Sequence, residues 1–179
     1  YHPCQIMADL MTFREIMGDE QLEKVCWIGD SNNVCHSYME AANLLGFELS
    51  IFCPSGYEPD PGILESTKNA VSLTKDKETA LENADIVTTD VWTSMNSSSQ
   101  SDKKEKIFKD FFVSPQDMKK AKEHAIFLHC LPAHRGEEIT EDMLEDPSAK
   151  VWIQAENRMH VQEAILEFLL LSLIHISEP

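Results

Sequence analysis

Val25-Cys26-Trp27-Ile28-Gly29-Asp30-Ser31-Asn32-Asn33 is an apolar run that stops abruptly in turn chemistry. Four apolar residues ahead of Gly, Asp, Ser and Asn read as a buried strand entering a loop. A helical pattern follows from about Val34 to Leu45, with Gly46 well placed as its C-terminal cap. Glu48 to Cys53 is then a second strand, followed by the Pro/Gly-rich loop Pro54 to Gly62 and a helix to about Asn69. Short apolar strands alternating with helices predict an α/β fold: a doubly wound parallel sheet with helices on both faces, a Rossmann-like three-layer domain. Its crossovers should be right-handed.

The alternation continues in both directions. Upstream, Ile6, Leu10, Phe13 and Met17 form a helical stripe over Gln5 to Met17, closed by Gly18 and Asp19. Downstream, Val71 to Leu73 is a third strand, Ala80 to Ala84 ends a helix, and Ile86 to Thr89 is a fourth strand. Asn96 to Lys106 reads as a polar loop entering a charged helix, and Pro115 to Lys122 as a helix with Ser114 as N-cap. Ala125 to Leu128 is another buried strand. Thr140 to Leu144 reads as a short helix, Val151-Trp152-Ile153 as a last strand, and the final helix begins near Asn157.

Composition limits what such a sheet can do. The 179 residues suit one domain, long enough to bury about 70% of the unfolded surface. With 31 acidic against 15 basic residues, the net charge of −16 argues against nucleic acid or an anionic membrane as partner, since both need a positive footprint. A few local Arg and His can still bind a small anion. Five Cys, odd in number and without a C-x-x-C pair, speak against a disulfide framework or structural zinc and for a reducing, cytoplasmic setting. The run from Ile165 to Ile176 is too short and too interrupted to span a bilayer.

Four polar clusters stand just beyond strand ends or at the chain start. They are His2/Gln5, Asp30 to Asn33, Asp90/Ser94/Met95, and His129-Cys130-Leu131-Pro132-Ala133-His134-Arg135-Gly136 with Arg158 downstream. The C-terminal edge of an open parallel sheet is where ligands bind, and three such turns on one edge look like a site. Each has a plainer reading: Cys130 as a buried thiol, Asp30 to Asn33 as an Asx turn and helix N-cap, Met95 as core filler. The Gly-Asp-Ser-Asn-Asn turn lacks the G-x-G-x-x-G spacing of a dinucleotide site. His124, His129 and His134 recur at five-residue spacing, which suits neither helical nor strand metal ligation, so no metal and no cofactor is expected. Serine-hydrolase and P-loop patterns are absent.

His129-Cys130-Leu131-Pro132, Asp90-Val91-Trp92-Thr93-Ser94-Met95, His2-Pro3-Cys4-Gln5, Gly29 to Asn33 and Ala155-Glu156-Asn157-Arg158 together resemble the ornithine carbamoyltransferases of the aspartate/ornithine carbamoyltransferase superfamily. The motifs fall in the family's order and spacing from Tyr1 to about Leu169. The aspartate branch shares His-Pro-x-Gln but not His-Cys-Leu-Pro, and Ser94-Met95 points to ornithine over putrescine or acetylornithine. The resemblance implies transfer of the carbamoyl group of carbamoyl phosphate to the δ-amino group of L-ornithine, giving L-citrulline and phosphate. It implies that Asn33, Asp90, Ser94 and Met95 hold ornithine, and that Cys130 sits at the attacking amine. It further implies that His2, Gln5, Cys130, Leu131 and Arg158 bind carbamoyl phosphate, with Cys130 and Arg158 as the catalytic pair. Intact relatives are homotrimers or multiples of trimers. The rival readings are a non-catalytic amino-acid-binding α/β module and a carbamoyltransferase for another amine such as putrescine.

The same resemblance divides the chain. Residues 1–17 correspond to the helix leaving the carbamoyl-phosphate domain, 18–168 to the ornithine-binding domain, and 169–179 to a tail unlike the family's closing helix and reminiscent of a gene-model artefact. The family's Ser-x-Arg-Thr-Arg phosphate loop does not occur among these residues, so the chain is expected to be a truncated and, alone, inactive half. Asn96 stands where the family usually has Gly.

Overall fold

The order of elements is α1 (Pro3–Met17), β1 (Lys24–Ile28), α2 (Asn33–Leu45), β2 (Glu48–Phe52), α3 (Pro61–Thr67), β3 (Val71–Thr74), α4 (Lys77–Leu81), β4 (Ile86–Thr89), α5 (Ser101–Phe108), α6 (Pro115–Met118), β5 (Ile126–His129) and α7 (Val151–Ile176). This computed structural model describes residues 1–92 and 101–176, the side chains at 101–103, 105 and 172–176 apart. The strands pair in the order β3-β2-β1-β4-β5, all parallel, as the alternating pattern predicts. From β1 the chain winds outward through β2 to β3, then crosses back to β4 on the other side of β1. The β1/β4 boundary is thus the point where winding reverses, and in open α/β sheets ligands bind in the crevice beyond the strand ends at such a point.

The sheet is buried on both faces, which is why its strands are continuously apolar rather than alternating. On one face Ile6 and Phe13 of α1 and Val34, Tyr38, Met39 and Ala42 of α2 pack on Val25, Trp27, Leu49, Ile51, Ile86 and Leu128. On the other, Ala80 and Leu81 of α4, Met118 of α6 and Val151 pack on Cys26, Ile28, Val87 and Phe127. Among the described residues no helix is long and apolar enough to cross a membrane.

Local chemistry sets the boundaries. Asn32 caps α2 by accepting the Val34 and Cys35 N–H groups, and Gly46 ends it in the left-handed conformation at φ 83°. Ser114 and Asp117 form a capping box at α6, which ends after one turn at Met118 rather than reaching Lys122. Thr140 to Leu144 makes only a 3-10 turn at Met143–Glu145.

The expected last strand, Val151 to Ile153, is instead the first turn of α7. The extended segment beside β5 lies just before it: Phe127 N–H donates to Ser148 O, and Lys150 N–H to Phe127 O. With that edge occupied, Val151 is buried while Trp152 and Ile153 face out on the helix. Three apolar residues alone do not distinguish the two conformations. α7 therefore begins six residues before Asn157 and continues without interruption to Ile176.

Candidate functional site

At the crevice the ends of β1 and β4 are tied together by Thr89, whose hydroxyl donates to Ile28 O at 2.6 Å. The next residue, Gly29, has φ 123°, and a Cβ there would lie 3.3 Å from Thr89 Oγ1 and 3.5 Å from Trp92 Nε1. Only glycine turns the chain here without strain. The turn delivers Asn32, which accepts the α2 cap bonds on Oδ1 and donates from Nδ2 to Asp90 Oδ2 at 2.6 Å. Asp90, one residue past β4, also accepts the Val91 N–H at 2.8 Å and the Cys130 Sγ–H at 3.0 Å on Oδ1. Three loops, following β1, β4 and β5, thus meet on one carboxylate.

Cys130 follows β5 directly. Burial, and after it the Asp90 carboxylate, push its thiol far above the ordinary cysteine range, so at neutral pH it is a protonated donor to Asp90. The loop beyond it is fixed from behind by His129, which is 1% exposed. His129 Nδ1 accepts the Leu131 N–H at 3.0 Å, so the ring is neutral with its hydrogen on Nε2, facing Glu138 Oε1 at 3.1 Å. Glu138 Oε1 also accepts the His134 N–H at 2.6 Å, while its Oε2 is buried without a partner. Leu131 takes φ 42° and is followed by Pro132 across a cis bond.

A cavity of about 310 Å³ opens beside this loop, lined by Gln5, His129, Cys130, Leu131, Gln154, Ala155 and Arg158. Helix α1 supplies Gln5 and α7 supplies Gln154 and Arg158. His2, at the N-cap of α1, is half-buried. Burial, then the Arg158 charge, holds its imidazole below the usual histidine range, against the opposing pull of Asp90. Arg158 makes no ion pair among the described residues, and the buried Asp9 beneath the cavity acts on its charge without contact. A larger cavity of about 740 Å³ lies at the opposite edge of the sheet, around Met118, Lys122 and Ile126, and contains none of these groups.

Beneath the cavity floor Asp9 of α1 is 1% exposed. It accepts Gln5 Nε2 (2.8 Å) and Gln154 Nε2 on Oδ1, and the Tyr38 hydroxyl on Oδ2. Gln154 Oε1 in turn accepts the His129 N–H at 2.9 Å. Burial raises the Asp9 carboxyl from 3.8 to about 6 against the lowering effect of these three donors. A raised acid pKa means the fold favours the protonated form, so stability from this group is present at low pH and lost as pH rises through about 6. Relative to Asp9→Asn, the parent chain should gain about 1 kcal/mol by pH 5 and about 2 kcal/mol by pH 4 over its value at pH 8. Urea unfolding of both chains across that range checks this; a parallel pH dependence would refute it.

The structure brings Asp90, Cys130 and Leu131 together with Gln5, His2 and Arg158 around adjoining spaces. Ser94, Met95 and Asn96 lie outside the described residues. Asn33, the first residue of α2, is exposed, and its neighbour Asn32 is the one that reaches Asp90. Asp9, Glu138 and Gln154 were not expected from the sequence as site residues, nor was Asn32 singled out individually. Asn32 falls within the candidate cluster Asp30 to Asn33, but Asn33 was the residue singled out from it; the other three act through partners up to 145 residues away. Asp90, His129 and Cys130 offer ligand atoms within 4.8 Å of one another, as do His134, Glu137 and Glu138. In the first group both His129 nitrogens already have partners.

Comparison with known proteins gives the same picture. The family model described as Aspartate/ornithine carbamoyltransferase, Asp/Orn binding domain, matches residues 21–169. The ornithine carbamoyltransferase of Halorhodospira halophila is 51% identical over 170 residues, covering 95% of this chain and 57% of that protein. That of Psychrobacter sp. strain PRwf-1 is 48% identical over 170 residues, covering 95% and 56%. The crystal structure of anabolic ornithine carbamoyltransferase from Campylobacter jejuni superposes with a TM-score of 0.87 at 40% identity, covering 94% of this chain and 58% of that one. The Burkholderia thailandensis enzyme gives 0.85 at 40% identity, covering 96% and 55%. The chain thus spans little more than half the length of the relatives it matches. By its doubly wound sheet, its carboxylate and thiol at the point where winding reverses, and these similarities, the chain belongs to the aspartate/ornithine carbamoyltransferase family.

Proposed function

We propose that this domain binds L-ornithine at the β1/β4 crevice and presents its δ-amine to carbamoyl phosphate, for L-citrulline formation. The observation that carries the reading is the Cys130 Sγ–H on Asp90 Oδ1, with Asn32 on the other oxygen, at the lip of the cavity holding Gln5 and Arg158. The amine nitrogen bonds to the carbamoyl carbon, the carbon–oxygen bond to phosphate breaks, and an amine proton ends on the departing phosphate. Asp90 supplies the negative charge for a substrate amino group. A protonated Cys130 cannot itself remove a proton, and its role is to hold the amine beside Asp90. Arg158 and His2 face the phosphate and carbonyl oxygens, where charge develops. Gln5 has its NH2 committed to Asp9, leaving Oε1 as a hydrogen-bond acceptor for the carbamoyl NH2, alongside the Leu131 carbonyl.

On this reading Ser94, Met95 and Asn33 bind ornithine together with Asp90, and residues 18–168 form the ornithine-binding unit. Residues 1–17 lead from a carbamoyl-phosphate half, which would cover the exposed Met7 and Met11 of α1 and Trp152 and Met159 of α7. On the same reading the whole protein is a cytoplasmic homotrimer or a multiple of trimers.

The test is calorimetric titration of the 179-residue chain with ornithine and with putrescine, beside a citrulline assay. Ornithine should bind at least about tenfold more tightly, since both carry two amines but only ornithine carries an α-carboxylate that polar loops can pair. Citrulline should not form, because no Ser-x-Arg-Thr-Arg phosphate loop occurs in these residues. Equal affinities would favour another amine as substrate; turnover at the rate of an intact relative would refute the phosphate-loop expectation.

A further inference from the structure

We propose that Asp9 is a positioning residue that fixes the side-chain amides of Gln5 and Gln154, and through them the hydrogen-bonding character of the carbamoyl cavity. The proposal rests on the reading of that cavity given under Proposed function. Asp9 touches no cavity space itself; it stands one helical turn behind Gln5 on α1. Its Oδ1 receives both glutamine NH2 groups, one from α1 and one from α7.

A carboxylate only accepts hydrogen bonds, so it dictates which end of each amide faces it. Gln5 must turn Nε2 down toward Asp9, and its Oε1, buried and without a partner, is what remains for a ligand in the cavity it lines. Gln154 must likewise turn Nε2 toward Asp9, which leaves Oε1 to hold the His129 N–H. That bond sets the end of β5, from which Cys130 and Leu131 project. One oxygen atom therefore orients the acceptor on one cavity wall and the backbone of the opposite wall. Reversing Gln5 would place an NH2 against the substrate's own NH2, an unpaired buried donor pair. The third donor, Tyr38, sits on Oδ2 and orients neither glutamine.

The two oxygens give variants with opposite expected outcomes. Asp9→Ala removes the acceptor. Asp9→Asn keeps Oδ1 for the glutamines and turns Nδ2 toward the Tyr38 oxygen, so it should rescue. Tyr38→Phe removes only the Oδ2 partner. The experiment follows the Gln5 and Gln154 side-chain NH2 signals of the 15N-labelled 179-residue chain, with carbamoyl phosphate and ornithine titrated separately. In the parent chain, Asp9→Asn and Tyr38→Phe, both NH2 groups should exchange slowly with solvent. In Asp9→Ala their exchange should speed at least tenfold and carbamoyl phosphate affinity fall at least tenfold, with ornithine affinity changed less than twofold. A merely structural loss would weaken both ligands together and would not be rescued by Asn, which overturns the proposal. Unchanged Gln5 exchange in Asp9→Ala overturns it as well. Carbamoyl phosphate that moves no signal of the parent chain, while the amide pattern holds, refutes the reading of the cavity and leaves the orienting role of Asp9 standing.

Discussion

Asp90→Asn should weaken ornithine binding about 100-fold, equivalent to about 3 kcal/mol, because it leaves a substrate charge unpaired in a partly buried crevice. The carboxylate serves three donors at once: Asn32 Nδ2, the Val91 N–H and the Cys130 thiol. An amide in its place must turn its NH2 toward at least one of them, so charge and geometry fail together. Cys130 provides a second readout. With the neighbouring negative charge gone, its thiol should ionise more readily, though burial still holds it above the ordinary range. Alkylation by iodoacetamide at pH 8 should then run faster in the variant than in the parent. Calorimetric titration with ornithine measures the main effect. Unchanged affinity, in a variant whose circular dichroism matches the parent, would remove Asp90 from the ornithine site.

Trp27→Ala is expected to cost about 3–5 kcal/mol of folding stability, against the roughly 5–15 kcal/mol that a domain ordinarily has. Trp27 lies on the central strand, fully buried, with its ring 6.0 Å from that of Tyr38. Its indole N–H donates to Asp30 O at 3.1 Å, so it also holds the turn that leads into Asn32. Removing it opens a cavity between sheet and α2 and frees the start of the crevice. The urea midpoint should fall accordingly, and ornithine should bind more weakly even where the chain remains folded. A loss below 1 kcal/mol would mean that the sheet and α2 close over the gap.

Much of the architecture was legible because both-face burial makes each strand a short apolar run bounded by polar turns, as Val25 to Ile28 and Ile126 to Leu128 show. The exception, Val151 to Ile153, has the same composition, but Ser148 to Lys150 had already taken the edge beside β5. Strand-end chemistry was equally visible: Asp90, Cys130 and Gln5 stand out by residue type and position. What sequence could not disclose was which side chains support them. Asn32 and Asn33 are chemically identical neighbours, and only the cap geometry decides which one reaches Asp90. Asp9 and Gln154 are ordinary helical residues until α1 and α7 pack together, and Glu138 acquires meaning only from the imidazole above it.

The pairing of α1 with α7 joins the two ends of the described chain. Gln154 meets Asp9, and Asn157 meets Thr12, each across 145 residues. During synthesis the sheet from β1 to β5 can assemble while α1 still waits for its partner, since closing so long a loop is entropically slow compared with neighbouring βαβ contacts. A folding chain in which α7 has not yet docked can already hold Asp90, Asn32 and Cys130 on a formed sheet edge. It still lacks Arg158 in place and the clamp on the His129 backbone. The ornithine side of the crevice can therefore form ahead of the carbamoyl side, which is completed only when α7 docks on α1.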